Sequence, residues 1–193
     1  SLAVVLGLAF MVFIFYPGLI TLIVRKMSYS FFMKGISKAQ LTAFSTSSSV
    51  ATLPVTLNSV ENNLGVSKRT TSFVLPIGAT VNMDGTSLYQ AVAVVALAQF
   101  HMVDLSLMQQ LTIVFTATLA SIGAAAIPSA GLVLMIIVLE SVGLNPAWIA
   151  LIFPVDRILD MCRTVVNVTG DAAVSTIVAN SEGELNIPDT KSV

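Results

Sequence analysis

Apolar positions in this chain fall in long unbroken runs, not in the alternation of a half-exposed strand or the narrow stripe of a surface helix. Residues 1–24, SLAVVLGLAFMVFIFYPGLITLIV, carry no charge, and a run of that length meets the roughly 20 residues needed to cross a bilayer. The pattern predicts a transmembrane helix over 1–26. A signal peptide would need a basic start, a shorter apolar run and a small-residue cleavage site, and this segment has none of them. RKMSYSFFMKGISK, residues 25–38, reads as a basic connector with an amphipathic helix. Residues 39–60 are uncharged but centred on STSSSVATLP, too polar for a helix facing lipid. Residues 70–100 form a second apolar stretch, interrupted by Pro76, Gly78 and NMDGT at 82–86. Residues 105–139 form a 35-residue uncharged run broken by SIGAAAIPSAG, and residues 146–180 are apolar with charges set among them.

A single helix of 35 residues would be about 52 Å long, against a hydrocarbon core of about 30 Å. The chain must therefore turn back within that run, at Gly123, Pro128 and Gly131, and the serine-rich tip before Pro54 has the same character. Both segments read as re-entrant hairpins. Non-helical backbone at membrane depth is tolerated only where protein or a water-filled cavity satisfies it, so the tips belong near a site. The expected order is a transmembrane helix at 1–26, a first re-entrant hairpin at 27–66 and a broken helix at 67–101. A second hairpin follows at 105–142, a polar-striped helix at 146–181 and a tail at 182–193. Hairpin followed by interrupted helix occurs twice, an internal repeat of the kind found in secondary transporters. The predicted fold class is an all-α membrane protein.

Composition agrees: 55% of residues are hydrophobic, 10% charged, and mean hydropathy is +0.91, whereas soluble domains carry about 25% charged residues. The net charge of −1 leaves no footprint for nucleic acid. Cys162, the single cysteine, permits no internal disulfide. The absent initiator Met and the abrupt apolar opening suggest a piece of a longer protein. Arg25, Lys26, Lys34, Lys38, Lys68, Arg69 and Lys191 fall on one side of this layout, and the connectors at 101–104 and 140–147 hold no Lys or Arg. That bias puts both ends of the first hairpin and the C-terminus on the cytoplasmic side of a plasma (inner) membrane.

The remaining two arginines lie in FPVDRILDMCRTVVNVTGD, residues 153–171. At about 100° per residue, Asp156, Asp160, Arg163, Asn167 and Asp171 share an arc of about 80°, with Thr164 at its border. Charges at a helix centre cost roughly 2.5–3.5 kcal/mol each on insertion scales, so the stripe faces partners or water. It is either a structural ion-pair network, with Asp160 and Arg163 at i, i+3, or a site. A guanidinium fork suits a carboxylate, and surplus anionic oxygen suits a hard cation. NMDGT adds Asn82, Asp84 and Thr86, where unwound backbone frees carbonyls for Na⁺. The soluble phosphatase motif DxDGT is a look-alike, but Asn82 stands at its nucleophile position.

STSSSVATLP, NMDGT, SIGAAAIPSAG and DRILDMCRTVVNVTGD, in this order and spacing, resemble the glutamate transporter homologues of the dicarboxylate/amino acid:cation symporter family over residues 30–182. The resemblance implies the C-terminal half of such a protein, an inverted-repeat elevator domain in a homotrimer whose scaffold helices lie outside this chain. It implies Na⁺ symport of an acidic amino acid by alternating access, with Na⁺ co-transported and no organic cofactor. Ser47, Ser48 and Ser49 match the first tip, with Ser48 meeting the α-carboxylate. The second tip, from Ile127 to Gly131, matches the outer gate. Arg163 matches the residue that grips an acidic side chain, Asp160 the one that takes the α-amino group, and Asn167, Thr164 and Thr86 complete the shell. For sodium, Asp171, Asn167, Asn82 and the Gly78 carbonyl match one site. Thr80 and Met83, with carbonyls of Ser121 and Ile122, match a second, and Asp84 with Asn82 matches part of a third.

Several positions depart from the family. Ala126 and Ser129 stand where many relatives have glycine, which stiffens the gate. Thr46 stands where some archaeal relatives carry arginine, and Arg157 is expected to compensate from the last helix. Asp171 favours sodium, where proton-coupled relatives often have Asn. Within the family, a C4-dicarboxylate symporter and a proton-coupled glutamate symporter are the alternatives. An intramembrane aspartyl protease fails because VTGD at 168–171 lacks the first glycine of GxGD. His101 reads as a solvated loop residue, Tyr16 and Trp148 as interface anchors, Cys162 as packing, and the tail as disordered.

Overall fold

The computed structural model describes residues 2–124 and 129–188, and within them the chain is helical apart from its connectors and an isolated antiparallel bridge, Val66 to Leu185. α1 (Leu2–Phe10) passes through a π-helical turn, Met11–Phe15, into α2 (Tyr16–Ile23). Together they form a 22-residue helix long and apolar enough to cross a membrane, where 1–26 predicts one. The π turn widens the helix by one residue and frees a carbonyl; Tyr29 donates its hydroxyl to that of Val12.

α3 (Tyr29–Gly35) begins at Ser28, whose hydroxyl accepts from the Phe31 N–H, and buries Phe31 and Phe32. α4 (Ser37–Thr46) and α5 (Ser49–Asn62) are the arms of the first hairpin. Two residues reverse the chain. Ser47 adopts a left-handed conformation at φ 52, and extended Ser48 caps α5 by accepting from Ala51 N–H at 3.1 Å. A left-handed non-glycine residue costs on the order of 1–2 kcal/mol, so the tip holds its shape because neighbours hold it there.

α6 (Lys68–Val81) and α7 (Asp84–Phe100) are separated by Asn82 and Met83, whose backbones leave the helical region. The break is narrower than the composition predicts. Pro76 and Gly78 lie inside α6, and Asp84 and Thr86 belong to the first turn of α7. Pro76 forfeits only the hydrogen bond to the carbonyl four residues back, so the helix runs past it until Asn82. α8 (Leu107–Ile122) opens with a reciprocal capping box between Ser106 and Gln109, and α9 (Ala130–Ser141) begins after left-handed Ser129. Of the predicted turn, Ile127 and Pro128 lie outside the described residues. A 3₁₀ segment, Pro146–Leu151, leads into α10 (Phe153–Ser181), at 29 residues the longest helix described.

α10 is the axis of the fold, packed against α1, α2, α4, α5, α6, α7 and α9. Gly170, Ala172, Ala173 and Ala179 are buried on it, and small residues let helices approach closely where lipid supplies no hydrophobic drive for association. Large apolar side chains point outward, among them Leu6, Phe13, Phe73, Phe115 and Ile158, while Thr52, Gln90, Asp160, Arg163 and Asp171 are buried. The outward surface matches hydrocarbon or a further protein layer, and the polar groups are left to satisfy one another inside.

One pole gathers the basic connectors. Asn180 donates to the Ile23 carbonyl at 3.4 Å, Asn63 to that of Gly35 at 2.7 Å, and Ser67 N–H to that of Glu184 at 3.1 Å. The first part of the tail is therefore docked, contrary to expectation. Asn186 N–H donates to the Gly65 carbonyl at 2.8 Å, and Glu184 accepts from Ser67 and Thr70. Gly65, at φ 77, is required here, because a Cβ would lie 1.8 Å from the Asn186 carbonyl oxygen. These hydroxyl bonds hold the Glu184 carboxyl below the usual glutamate range, with Arg69 assisting. At the opposite pole His101 is not simply solvated: its ring stacks on Trp148 with centroids 3.8 Å apart and planes 10° apart.

Candidate functional site

Arg163 is the largest of the fully buried side chains. Its Nη1 donates to Asp156 at 3.0 Å, its Nη2 lies 2.8 Å from Asp160, and its Cζ sits 4.1 Å from the centroid of the Tyr89 ring. Tyr89 also donates its hydroxyl to Asp156 at 2.8 Å. The two carboxylates do not hold the guanidinium alike. Asp156 makes an aligned hydrogen bond, whereas the Asp160 approach is an ion pair off the N–H axis that leaves Nη2 without a hydrogen-bond acceptor among the described residues. A buried N–H without an acceptor is costly, so this fork has an unspent donor.

The start of α9 lies beside that donor. Asp160 accepts from the backbone N–H of Ser129 at 2.8 Å, which ties α10 to the second tip. Gly131 brings that tip close: a Cβ there would lie 2.7 Å from Thr86 Cγ2 and 3.5 Å from Arg163 Nη2. Gln90, fully buried, donates to the Gly131 carbonyl at 2.8 Å. From the first tip, Ser47 accepts from Arg157 at 3.0 Å, so the arginine on the last helix does reach the first hairpin. The space between the tips is lined by Ser47, Ser49, Thr86, Gly131, Asp160 and Asn167 and measures about 20 Å³, room for one water-sized group. Ser49 is buried there with a hydroxyl that has no partner among the described residues. Ser48 accepts the Ala51 N–H in the α5 cap through its hydroxyl oxygen. Thr164 lines the same space but donates to the Asp160 carbonyl at 2.8 Å.

One to two turns further along α10 the chemistry changes. Asn167 accepts from Gly85 N–H at 2.8 Å and directs its amide toward Thr86 at 3.2 Å and the Met83 sulfur at 3.3 Å. Asp171 accepts from Asn82 at 2.9 Å. Gly78 is packed against it, since a Cβ there would lie 2.5 Å from Asp171 Oδ1. Asp84 accepts from Gly85 N–H at 2.9 Å and from the Tyr16 hydroxyl. This cluster offers carboxylates, amides, a thioether and helix-end carbonyls. Among the described residues no group of three or more His, Cys, Asp and Glu gathers as a transition-metal site would require. Oxygen donors with two carboxylates suit a hard cation of low charge.

Asn82, Met83, Ser121 and Ile122 line one cavity of about 510 Å³ between the α6–α7 break and the end of α8. Thr80 is not among them: it is exposed, and its hydroxyl donates to the Ile77 carbonyl at 3.0 Å. Sequence reasoning missed Tyr89 and Gln90, although they follow Thr86 by three and four residues and so share its helix face. It also misread Tyr16, which at 2% exposure is a buried donor rather than an interface anchor. A tyrosine within an apolar run carries no signal of what its hydroxyl will meet.

Comparison with known proteins places this chain in a family. Residues 1–181 match the sodium:dicarboxylate symporter family. The chain is 50% identical over 184 residues to an excitatory amino acid transporter of Caenorhabditis elegans, covering 95% of this chain and 36% of that protein. It is 50% identical to human excitatory amino acid transporter 2 over 189 residues, 97% of this chain and 33% of that one. With human excitatory amino acid transporter 3 it shares 51% over 190 residues, 98% and 36% of the two chains. It spans about a third of the length of these relatives.

Proposed function

The chain belongs to the sodium:dicarboxylate symporter family, whose members are membrane transporters and not enzymes, and from that premise we propose that it carries the substrate and cation sites of a Na⁺-coupled symporter for acidic amino acids. The observation that carries this reading is Arg163, buried between Asp156 and Asp160 with one donor left without an acceptor among the described residues, beside Gly131, which lines the space between the hairpin tips. A substrate carboxylate takes that donor in a charge-assisted hydrogen bond. The α-ammonium takes Asp160, and Asn167 and Thr86 border the same space. Asp160 favours an amino acid over a C4-dicarboxylate, which has no ammonium to offer it.

Entry requires movement, because about 20 Å³ is far below the roughly 300–1,000 Å³ of a preformed small-molecule pocket. The second tip is the gate. Its withdrawal breaks the Ser129 to Asp160 and Gln90 to Gly131 bonds, and the substrate ammonium then replaces the Ser129 N–H at Asp160. Na⁺ at Asp171, Asn82, Asn167 and the Gly78 carbonyl, at Met83, Ser121 and Ile122, and beside Asp84 offsets the negative charge of the cation cluster. The whole protein works by alternating access in the plasma membrane, as a trimer joined through helices outside this chain, with its C-terminus in the cytoplasm. Labelled aspartate uptake by the full-length protein in liposomes should require an inward sodium gradient. Uptake that proceeds equally in potassium or choline would sink the coupling.

A further inference from the structure

Tyr16 has no role in the reading above, yet its position is over-determined. The π-helical turn Met11–Phe15 ends at Tyr16, so the turn sets the direction in which this side chain leaves the first transmembrane helix. Its hydroxyl crosses to Asp84, 68 residues away, and has the Val166 carbonyl as a second acceptor at 3.2 Å. Gly170 makes the meeting possible. A Cβ there would lie 2.7 Å from the Tyr16 hydroxyl, 2.7 Å from Asn82 Nδ2 and 2.9 Å from Asp84 Oδ2. Three polar groups from three helical segments thus converge on one glycine of α10. Asp84 and Met11, the first residue of the π turn, line the same 510 Å³ cavity that reaches the α6–α7 break.

We propose that Tyr16 is a positioning residue for the cation bound at Asp84, holding the carboxylate in place and yielding to the ion by turning its O–H to the Val166 carbonyl. This rests on the sodium-coupled reading. A phenol has one proton and two oxygen lone pairs. While the proton points at Asp84, it fixes that carboxylate over Gly170. When a cation approaches Asp84 from the cavity, the proton rotates to Val166 and the phenol oxygen faces the ion. The carboxylate then changes partner without losing its orientation, and no buried hydroxyl is stranded.

The test is a sodium titration of the purified full-length protein at constant ionic strength, with potassium as the replacement ion, read as the rise in thermal unfolding midpoint. A ligand that binds the folded state raises that midpoint by mass action. Tyr16→Phe should require about tenfold more sodium for half of the rise, as loss of an outer partner does at other ion sites, and should shift the lithium-to-sodium ratio. A structural role would lower the midpoint at every sodium concentration and leave the half-point in place, and that result overturns the proposal. Should Tyr16→Phe not fold, Gly170→Ala displaces the same hydroxyl from the opposite side, and a wild-type half-point in that variant overturns it equally. A wild-type protein indifferent to sodium overturns the coupling and this proposal together. A wild type that responds, with variants that respond alike, overturns the Tyr16 assignment alone.

Discussion

Two polar clusters occupy the same face of α10 about two turns apart, and they differ in how charge is closed. Around Arg163, one cation faces Asp156 and Asp160, a tyrosine ring and a tyrosine hydroxyl. Around Asp171 and Asp84, the described partners are one asparagine, Asn82, the Tyr16 hydroxyl and the Gly85 backbone N–H, with no cationic side chain among them. The first cluster supplies a cation of its own to its two acids and keeps one N–H to offer. The second carries acid that the protein leaves without a counter-ion of its own. A helix that concentrates charge in one stripe can therefore serve two ligands of opposite character, because what surrounds each charge decides what it still needs.

Removing Arg163 should break the comparison most severely. Arg163→Ala leaves Asp156 and Asp160 buried and uncompensated, a change worth on the order of 3–5 kcal/mol. Calorimetric titration should show aspartate binding lost while a neutral amino acid such as serine is affected less; equal loss of both would make Arg163 structural. Asp171→Asn comes next. It should weaken sodium binding on the order of 100-fold, as truncating one partner of a buried charge contact does, with aspartate affinity restored at high sodium. An unchanged sodium half-point would detach Asp171 from the cation.

Tyr89→Phe sharpens the contrast, because it touches the first cluster only. Losing one hydrogen bond to a charged group, about 1.5–3 kcal/mol, should weaken aspartate binding by at least about tenfold and leave the sodium half-point alone. A matching shift in sodium would mean that the clusters are not separable. The smallest effect lies outside both, at Glu184. Its carboxyl is held below the usual range by Ser67 and Thr70, so its stabilisation is fully present above the unfolded glutamate value, about 4.3, and fades as pH falls through the lower folded value. The gap in unfolding midpoint between wild type and Glu184→Gln should be small and constant near neutrality and close in acid. A gap that widens as pH falls would contradict the docking.

The arc from Asp156 to Asp171 was legible in the sequence because helical periodicity follows from covalent geometry, and charge in an apolar run has a large cost wherever the helix lies. The same logic located the reversal at the serine-rich first tip and an interruption at 76–86 that the structure narrows to Asn82 and Met83. Arg157 was legible only as an arginine in want of a partner. Pro76 and Gly78 misled, since a helix with most of its backbone bonds intact absorbs a single missing N–H.

Length, apolar runs and residue spacing thus specified an all-helical chain with a reversal at the first tip, one broken helix and a polar stripe, all of which are properties of neighbours along the backbone. Only the tertiary structure decided that Tyr16, Tyr89 and Gln90 join the polar groups of α10, that the Ser49 hydroxyl is buried without a partner among the described residues, and that residues 184–186 dock on the α5–α6 connector. The contacts of Tyr16, Tyr89, Gln90 and Glu184 join residues 41 to 150 positions apart. Local periodicity holds no record of them, because they arise only when separate helices are brought onto the small residues of α10.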